Sequence, residues 1–242
     1  MKRSLAKMHL LSAISMILVF AIFVLVSTNS SAAAGGPPVF SPDKGKLLIQ
    51  LNGETIGSEQ FELTQSGENW LAKGTTELKM PGTKGSTSVS GTLMLQPDGA
   101  PISYEWTSHA DKTNGAHVVF SNGTAKITLQ MQGATRPFEQ DLSFNAPLIA
   151  VLDNNLYHQY ALLAKLYDWA KRGTQTFPVL IPQDLTPGTI SVEATGSTKL
   201  DGKSYEGLRV TTTDLEVLLL LDSNHRLMRL EVPSAKVSVV RQ

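Results

Sequence analysis

Two alternations run along this chain, and they change places near residue 146. Before it, apolar residues recur at every second position in short runs separated by turn residues, as in half-buried β-strands. Asn52-Gly53, Asp98-Gly99, Asn114-Gly115 and Asn122-Gly123 punctuate these runs. Such pairs favour tight hairpins, because a type I′ turn needs positive φ at both central residues.

For the Asp98-Gly99 hairpin, a two-residue turn pairs Leu95 with Ile102, Leu93 with Tyr104 and Gly91 with Trp106. Leu93, Leu95, Ile102, Tyr104 and Trp106 then share an apolar face, and Met94, Gln96, Ser103, Glu105 and Thr107 form the wetter one. The Asn52-Gly53 hairpin breaks this rule. Leu47, Ile49 and Ile56 fall on one side and Phe61 and Leu63 on the other. A bulge near Gly57 would return them to the same side and curve the sheet.

Over 146–172 the period lengthens. At 100° per residue, Leu148, Ile149, Leu152, Leu156, Tyr160, Leu163, Leu166, Tyr167 and Ala170 form one stripe, with Asp153, Asn154, Asp168, Lys171 and Arg172 opposite. Asn145 suits the cap, Pro147 the first turn and Gly173 the end. This pattern predicts one long amphipathic helix. Strands resume at about 175–181, 188–195, 204–212, 214–221, 226–232 and 235–241. In the fourth of these, Leu218 to Leu221 puts leucines on both faces. That requires a central strand covered on both sides or else exposes an apolar strip. The predicted fold is mainly β: a curved antiparallel sheet or open barrel of about 10–12 strands around one long central α-helix. No internal repeat is evident.

The first 34 residues stand apart. Lys2, Arg3 and Lys7 precede an apolar stretch from Leu10 to Val26, and small residues follow up to Ala34. These are the parts of a secretory signal peptide. An uncleaved anchor is the rival reading, because 17 residues approach the roughly 17–25 of a membrane span. Gly35 to Lys44 reads as a Gly/Pro linker and 45–242 as one β-rich domain. Loss of 1–34 leaves 18 basic against 21 acidic side chains, a net charge of −3. With no basic block, nucleic acid is not an expected partner. The chain has no cysteine, so neither a disulfide framework nor a lipidated cysteine is available. A periplasmic or extracellular location in a bacterium follows as the expectation, with an N-terminal inner-membrane anchor as the alternative.

Candidate chemistry is sparse. His109 and His117 flank Asn114-Gly115, but a two-residue turn there places them on opposite faces. His158 reads as a boundary residue of the helix stripe, near Lys165, and His225 as an exposed turn residue. No Gly-x-Ser-x-Gly elbow, phosphate loop or His-Glu-x-x-His is present. Asp153 and Asp168 are four helical turns apart and support no carboxylate pair. Asn122-Gly123-Thr124 matches a glycosylation triplet but already serves as a turn. No catalytic residue, metal ligand or cofactor is assigned.

Gly45-Lys46-Leu47, Gly53-Glu54-Thr55-Ile56-Gly57-Ser58-Glu59, Tyr167-Asp168, Val232-Pro233 and Val240-Arg241 form a pattern that resembles one in uncharacterised exported bacterial β-proteins. The layout is also similar to the half-barrel of periplasmic lipoprotein carriers. It departs from them in its single long helix and its larger number of strands. The resemblance implies a cleft able to hold acyl chains and transfers no catalytic residue. Cleft candidates are Trp106, Tyr104, Leu156, Tyr160, Leu163 and Tyr167. The leading expectation is therefore a non-enzymatic exported protein that binds lipid or another apolar ligand between sheet and helix. The alternatives are an envelope module that docks another protein by a strand edge or the Leu218–Leu221 strip, and a hydrolase of unrecognised type. A membrane is involved only through an uncleaved signal segment.

Overall fold

A computed structural model describes residues 39–242 except 80, 83 and 84; the expected signal segment and most of the expected linker lie outside the described residues. Eight strands come first: β1 (Asp43–Leu51), β2 (Glu54–Ser66), β3 (Asn69–Leu78), β4 (Thr87–Leu95), β5 (Pro101–His109), β6 (Thr113–Ser121), β7 (Thr124–Met131) and β8 (Phe138–Ser143). After β9 (Ala150–Val151) and the helix α1 (His158–Leu166) come β10 (Gln175–Ile181), β11 (Thr186–Leu200), β12 (Lys203–Thr211), β13 (Glu216–Leu221), β14 (Leu227–Val232) and β15 (Val237–Arg241).

All fifteen described strands belong to one sheet, ordered 8-7-6-5-4-3-2-1-15-14-13-12-11-10-9. The chain meanders outward from β1 to one edge at β8. It then reappears at the opposite edge as β9, parallel to β10, and meanders back until β15 pairs with β1. Residues 144–149 therefore join one edge of the sheet to the other, and α1 lies in the connection that leaves β9 and returns to β10 at that second edge. Buried side chains of α1 contribute to both core clusters: Ala161, Leu163 and Ala164 join one, and Leu162 the other.

The mainly-β, curved antiparallel prediction holds, whereas the long helix does not: α1 has nine residues, not the 27 of 146–172. Ala150 and Val151 are drawn into the sheet beside Val179 and Leu180, and Asn155 adopts φ 63°. At the other end Tyr167 is extended. Every residue from Ile149 to Asp153 is buried. A tract buried on all sides has no face for periodicity to report, so its apolar spacing was mistaken for a helical stripe. The strand count of 10–12 is low: eight described strands precede β9 and six follow α1.

Register was more legible. Leu93 pairs with Tyr104 and Gly91 with Trp106, as the alternation predicts, but Leu95 meets Pro101 instead of Ile102. Asp98 accepts the Ala100 N–H, and a bulge at Ile102 absorbs the extra residue. The bulge expected near Gly57 is present: the β1–β2 register shifts between Ile49 and Gln50, and Ile56, Phe61 and Leu63 are all buried. Asn114-Gly115, by contrast, lies inside β6. His109 pairs with Thr113 and His117 with Glu105, so the two histidines share a face, four cross-strand pairs apart along the ladder. In β13, Val217, Leu219 and Leu221 are buried on the concave side and Leu218 and Leu220 are half-buried on the other.

Candidate functional site

On the concave face, β-strand pairing aligns Gly45, Phe61, Gly74, Gly91 and Trp106 in one row across five strands. The glycines leave a trough into which residues 156–158 settle. A Cβ on Gly74 would collide with the His158 ring and lie 2.6 Å from Glu59 Oε1. One on Gly91 would lie 2.6 Å from Leu156 Cδ1. Glycine inside a strand often marks such a close approach.

The β2 bulge also turns Glu59 inward, where it is fully buried. Its Oε2 accepts the N–H groups of Tyr157 (2.8 Å) and His158 (3.1 Å), and its Oε1 lies 2.5 Å from His158 Nδ1. Tyr157, at the N-cap, makes no side-chain cap. A carboxylate from a distant strand does that work, where the helix's unpaired N–H groups favour negative charge. The expectation of His158 as a boundary residue fails: it is 2% exposed and stacks on Phe61. Its Nε2 has no hydrogen-bond partner.

A second polar cluster adjoins the first. Asp153 Oδ2 accepts the Tyr104 hydroxyl at 2.8 Å, and Oδ1 accepts the N–H groups of Asn154 and Gln183. The Asp153 N–H donates to Gln159 Oε1, and Thr76 donates to the Asn155 carbonyl. Burial pushes the Asp153 carboxyl up to about 6, against the lowering effect of its donors. Burial, reinforced by Asp153, raises Tyr104 well above the usual phenol range. Burial likewise raises Tyr157 and Tyr160 to about 12. His158 with Glu59 supplies the base-and-carboxylate half of a triad. No Ser, Thr or Cys side chain lies within hydrogen-bond distance of Nε2 among the described residues.

Two narrow gaps flank α1 and share Leu162, each with a void of only about 10 Å³. One lies between Phe61, Leu63, Ala161 and Leu162, with His158 and Lys165 along the helix. The other lies between Phe40, Leu93, Leu95, Leu163 and Leu166, with Gln159 beside it. Gln159 Nε2 is also buried and unpartnered.

The six cleft candidates divide between the two core clusters. Tyr104, Trp106 and Leu156 lie in one; Leu163 and Tyr167 lie in the other, with Tyr160 half-buried against it. Only Leu163 of the six lines either gap. Tyr167 secures the exit from the helix, donating to the Gly173 carbonyl and accepting the Ala194 N–H. His225 is half-buried and stacks on Trp169 with ring centroids 3.9 Å apart. Sequence reasoning missed Glu59, Asp153 and Gln159 as interior groups. The signal that could have found them was the run of glycines at inward positions of β3 and β4.

The chain matches no protein-family model and no curated protein. Among solved structures it is similar to a DUF1089 family protein from Pseudomonas aeruginosa, with 8% identity, a TM-score of 0.45 and coverage of 73% of this chain and 90% of that one.

Proposed function

We propose that this is an exported, periplasmic, non-enzymatic binding protein whose apolar ligand lodges between the sheet and α1. The observation that carries this reading is the apolar seam between α1 and the sheet, lined largely by aliphatic and aromatic side chains with a few polar groups among them. Small-molecule sites have this lining, but the seam is closed to voids of about 10 Å³, so a ligand must part α1 from the sheet to enter. The test is native mass spectrometry of protein isolated from its own cell envelope. A bound lipid or other amphiphile is the expected result. A ligand-free spectrum under several extraction conditions overturns it. Intact mass of the same sample tests export, since retention of Met1 would mean an anchor instead of a cleaved signal.

One observation favours a second reading, a docking module of the cell envelope. Among the described residues strand β8 pairs only with β7, and Val119, Met131 and Phe138 are exposed on β6, β7 and β8. A free edge with apolar neighbours is a template for strand addition. Replacement of Gln140 by Pro would abolish capture of an envelope partner on this reading and leave ligand binding intact.

A further inference from the structure

A cavity of about 470 Å³ opens where the β4–β5 and β6–β7 turns meet the chain that follows β8, and no residue of α1 lines it. Its volume falls within the roughly 300–1,000 Å³ of small-molecule sites. Ala100, Pro101 and Ile149 are its buried lining, and Phe120 and Phe144 are half-buried. Gln96, Ser121, Asn122 and Asn145 line it from exposed positions.

The turn that the sequence marks at Asn122-Gly123 builds this site. Both residues hold positive φ, 50° and 72°, and the Gly123 carbonyl accepts the Phe144 N–H at 2.7 Å. A Cβ on Gly123 would lie 2.8 Å from the Phe144 carbonyl oxygen. Glycine therefore lets the chain after β8 close against the turn, which brings Phe144 and Asn145 to the cavity that Phe120 and Asn122 line.

The chemistry of this lining is selective. None of its thirteen residues is ionisable. A charged ligand would give up water with no counter-ion in return. A purely apolar one would strip water from amides and hydroxyls and leave them unpaired. The side chains of Gln96, Ser121, Asn122, Thr124 and Asn145 make no hydrogen bond within the protein among the described residues. Three amides and two hydroxyls are thus left to donate and accept side by side. The two phenylalanines add ring faces, whose negative π-clouds attract polarised C–H groups. We propose that this cavity binds a neutral sugar of one or two rings, its hydroxyls paired with the amides and its C–H face against the phenylalanines. The site is independent of the seam at α1 and does not require that seam to open.

Saturation-transfer NMR and titration calorimetry with glucose, galactose, maltose, cellobiose and glucuronate test it. At least one neutral sugar should bind with a millimolar or tighter Kd, with saturation strongest on its ring C–H protons. Glucuronate should not bind. Gln96→Ala combined with Asn145→Ala removes two exposed amides that make no internal hydrogen bond. It should weaken the sugar at least tenfold and leave the melting temperature unchanged. Phe144→Leu should weaken it several-fold, with folding checked by circular dichroism. Failure of all four neutral sugars, glucuronate binding as tightly as they do, or unchanged affinity in the double variant overturns the assignment. Unchanged affinity in folded Phe144→Leu overturns the ring contact.

Discussion

The two halves of the sheet present different surfaces to the segment 144–174 packed against them. From β10 to β15 the inward side chains are apolar without exception among the fully buried residues: Phe177, Val179, Ile190, Val192, Leu208, Val210, Val217, Leu219, Leu221, Leu227, Leu230 and Val239. From β1 to β8 the inward face includes Glu59, Thr76 and Tyr104, and glycines that make room. The buried polar and charged side chains, Glu59, Thr76, Asp153, His158 and Gln159, all lie on this half or on that segment. Both halves hydrogen-bond the segment, the second through Gln183, Ala194 and Asn224, but only the first also sets buried polar and charged side chains against it, which are satisfied in one position only. The comparison teaches that the first half adds buried polar placement to the apolar burial that both supply.

The Glu59 anchor gives the largest expected effect. Replacing Glu59 by Ala leaves His158 and two N–H groups of α1 buried without their acceptor, and should cost about 3–5 kcal/mol in urea unfolding. The double variant Glu59→Leu with His158→Phe should recover much of that loss but hold the segment less uniquely, with broadened side-chain NMR signals around 153–166. A double variant as destabilised as the single one would mean that the pair stabilises the fold in its own right, and the division between halves would fail.

Asp153 sharpens the comparison through pH. Its carboxyl is raised from the ordinary 3.8 to about 6 in the folded protein. The protonated form is thus favoured by folding. The stabilisation is fully present below about pH 4 and is lost as pH rises through about 6, on the order of 2–3 kcal/mol in all. Asp153→Asn cannot titrate. The stability of the wild type relative to this variant should therefore fall between pH 4 and pH 7, measured by denaturant melts at each pH. Parallel stability curves would sink the assignment of a costly buried charge to this half.

Turn chemistry separates the halves by the smallest margin. In the first, Asn52-Gly53 closes β1–β2 with φ of 53° and 83°. In the second, β10–β11 and β14–β15 are closed by the same device, a proline-led 3-10 turn over Pro182–Asp184 and Pro233–Ala235, ended by Leu185 or Lys236 in the left-handed region. A lysine there costs about 1 kcal/mol, partly offset by the greater flexibility of a glycine in the unfolded chain. Lys236→Gly should raise the melting temperature slightly, and Gly53→Ala should lower it by an amount worth about 1 kcal/mol. Opposite signs are the expected outcome.

Much of this architecture was legible in the sequence. The strands after the helix begin and end within a few residues of their predicted bounds, because their alternation is clean and Asp201-Gly202 marks a turn. The bulge that returns Phe61 and Leu63 to the core was readable from a broken alternation and a glycine. The candidate site was far less legible. Glu59 sits in a polar stretch, Ser58-Glu59-Gln60, that looks like any solvated strand. Asp153 was assigned to the polar side of a helix that does not extend that far, and His158 to the margin of one that it instead begins, buried.

Alternation by itself determined the sheet, its curvature near Gly57 and the Leu93–Tyr104 register, since each strand's faces are set by its own residues and its nearest turn. Only the tertiary structure decided that the first and last strands pair at the centre of the sheet. That pairing leaves residues 144–149 to join the two edges and 152–174 to loop from β9 to β10 with α1; there Ile149 to Asp153 are buried and the helix shortens to nine residues. It also decided that Glu59 meets a helix N-terminus 98 residues away. Local periodicity reports which side of a segment avoids water, and it carries no record of which distant groups will arrive there.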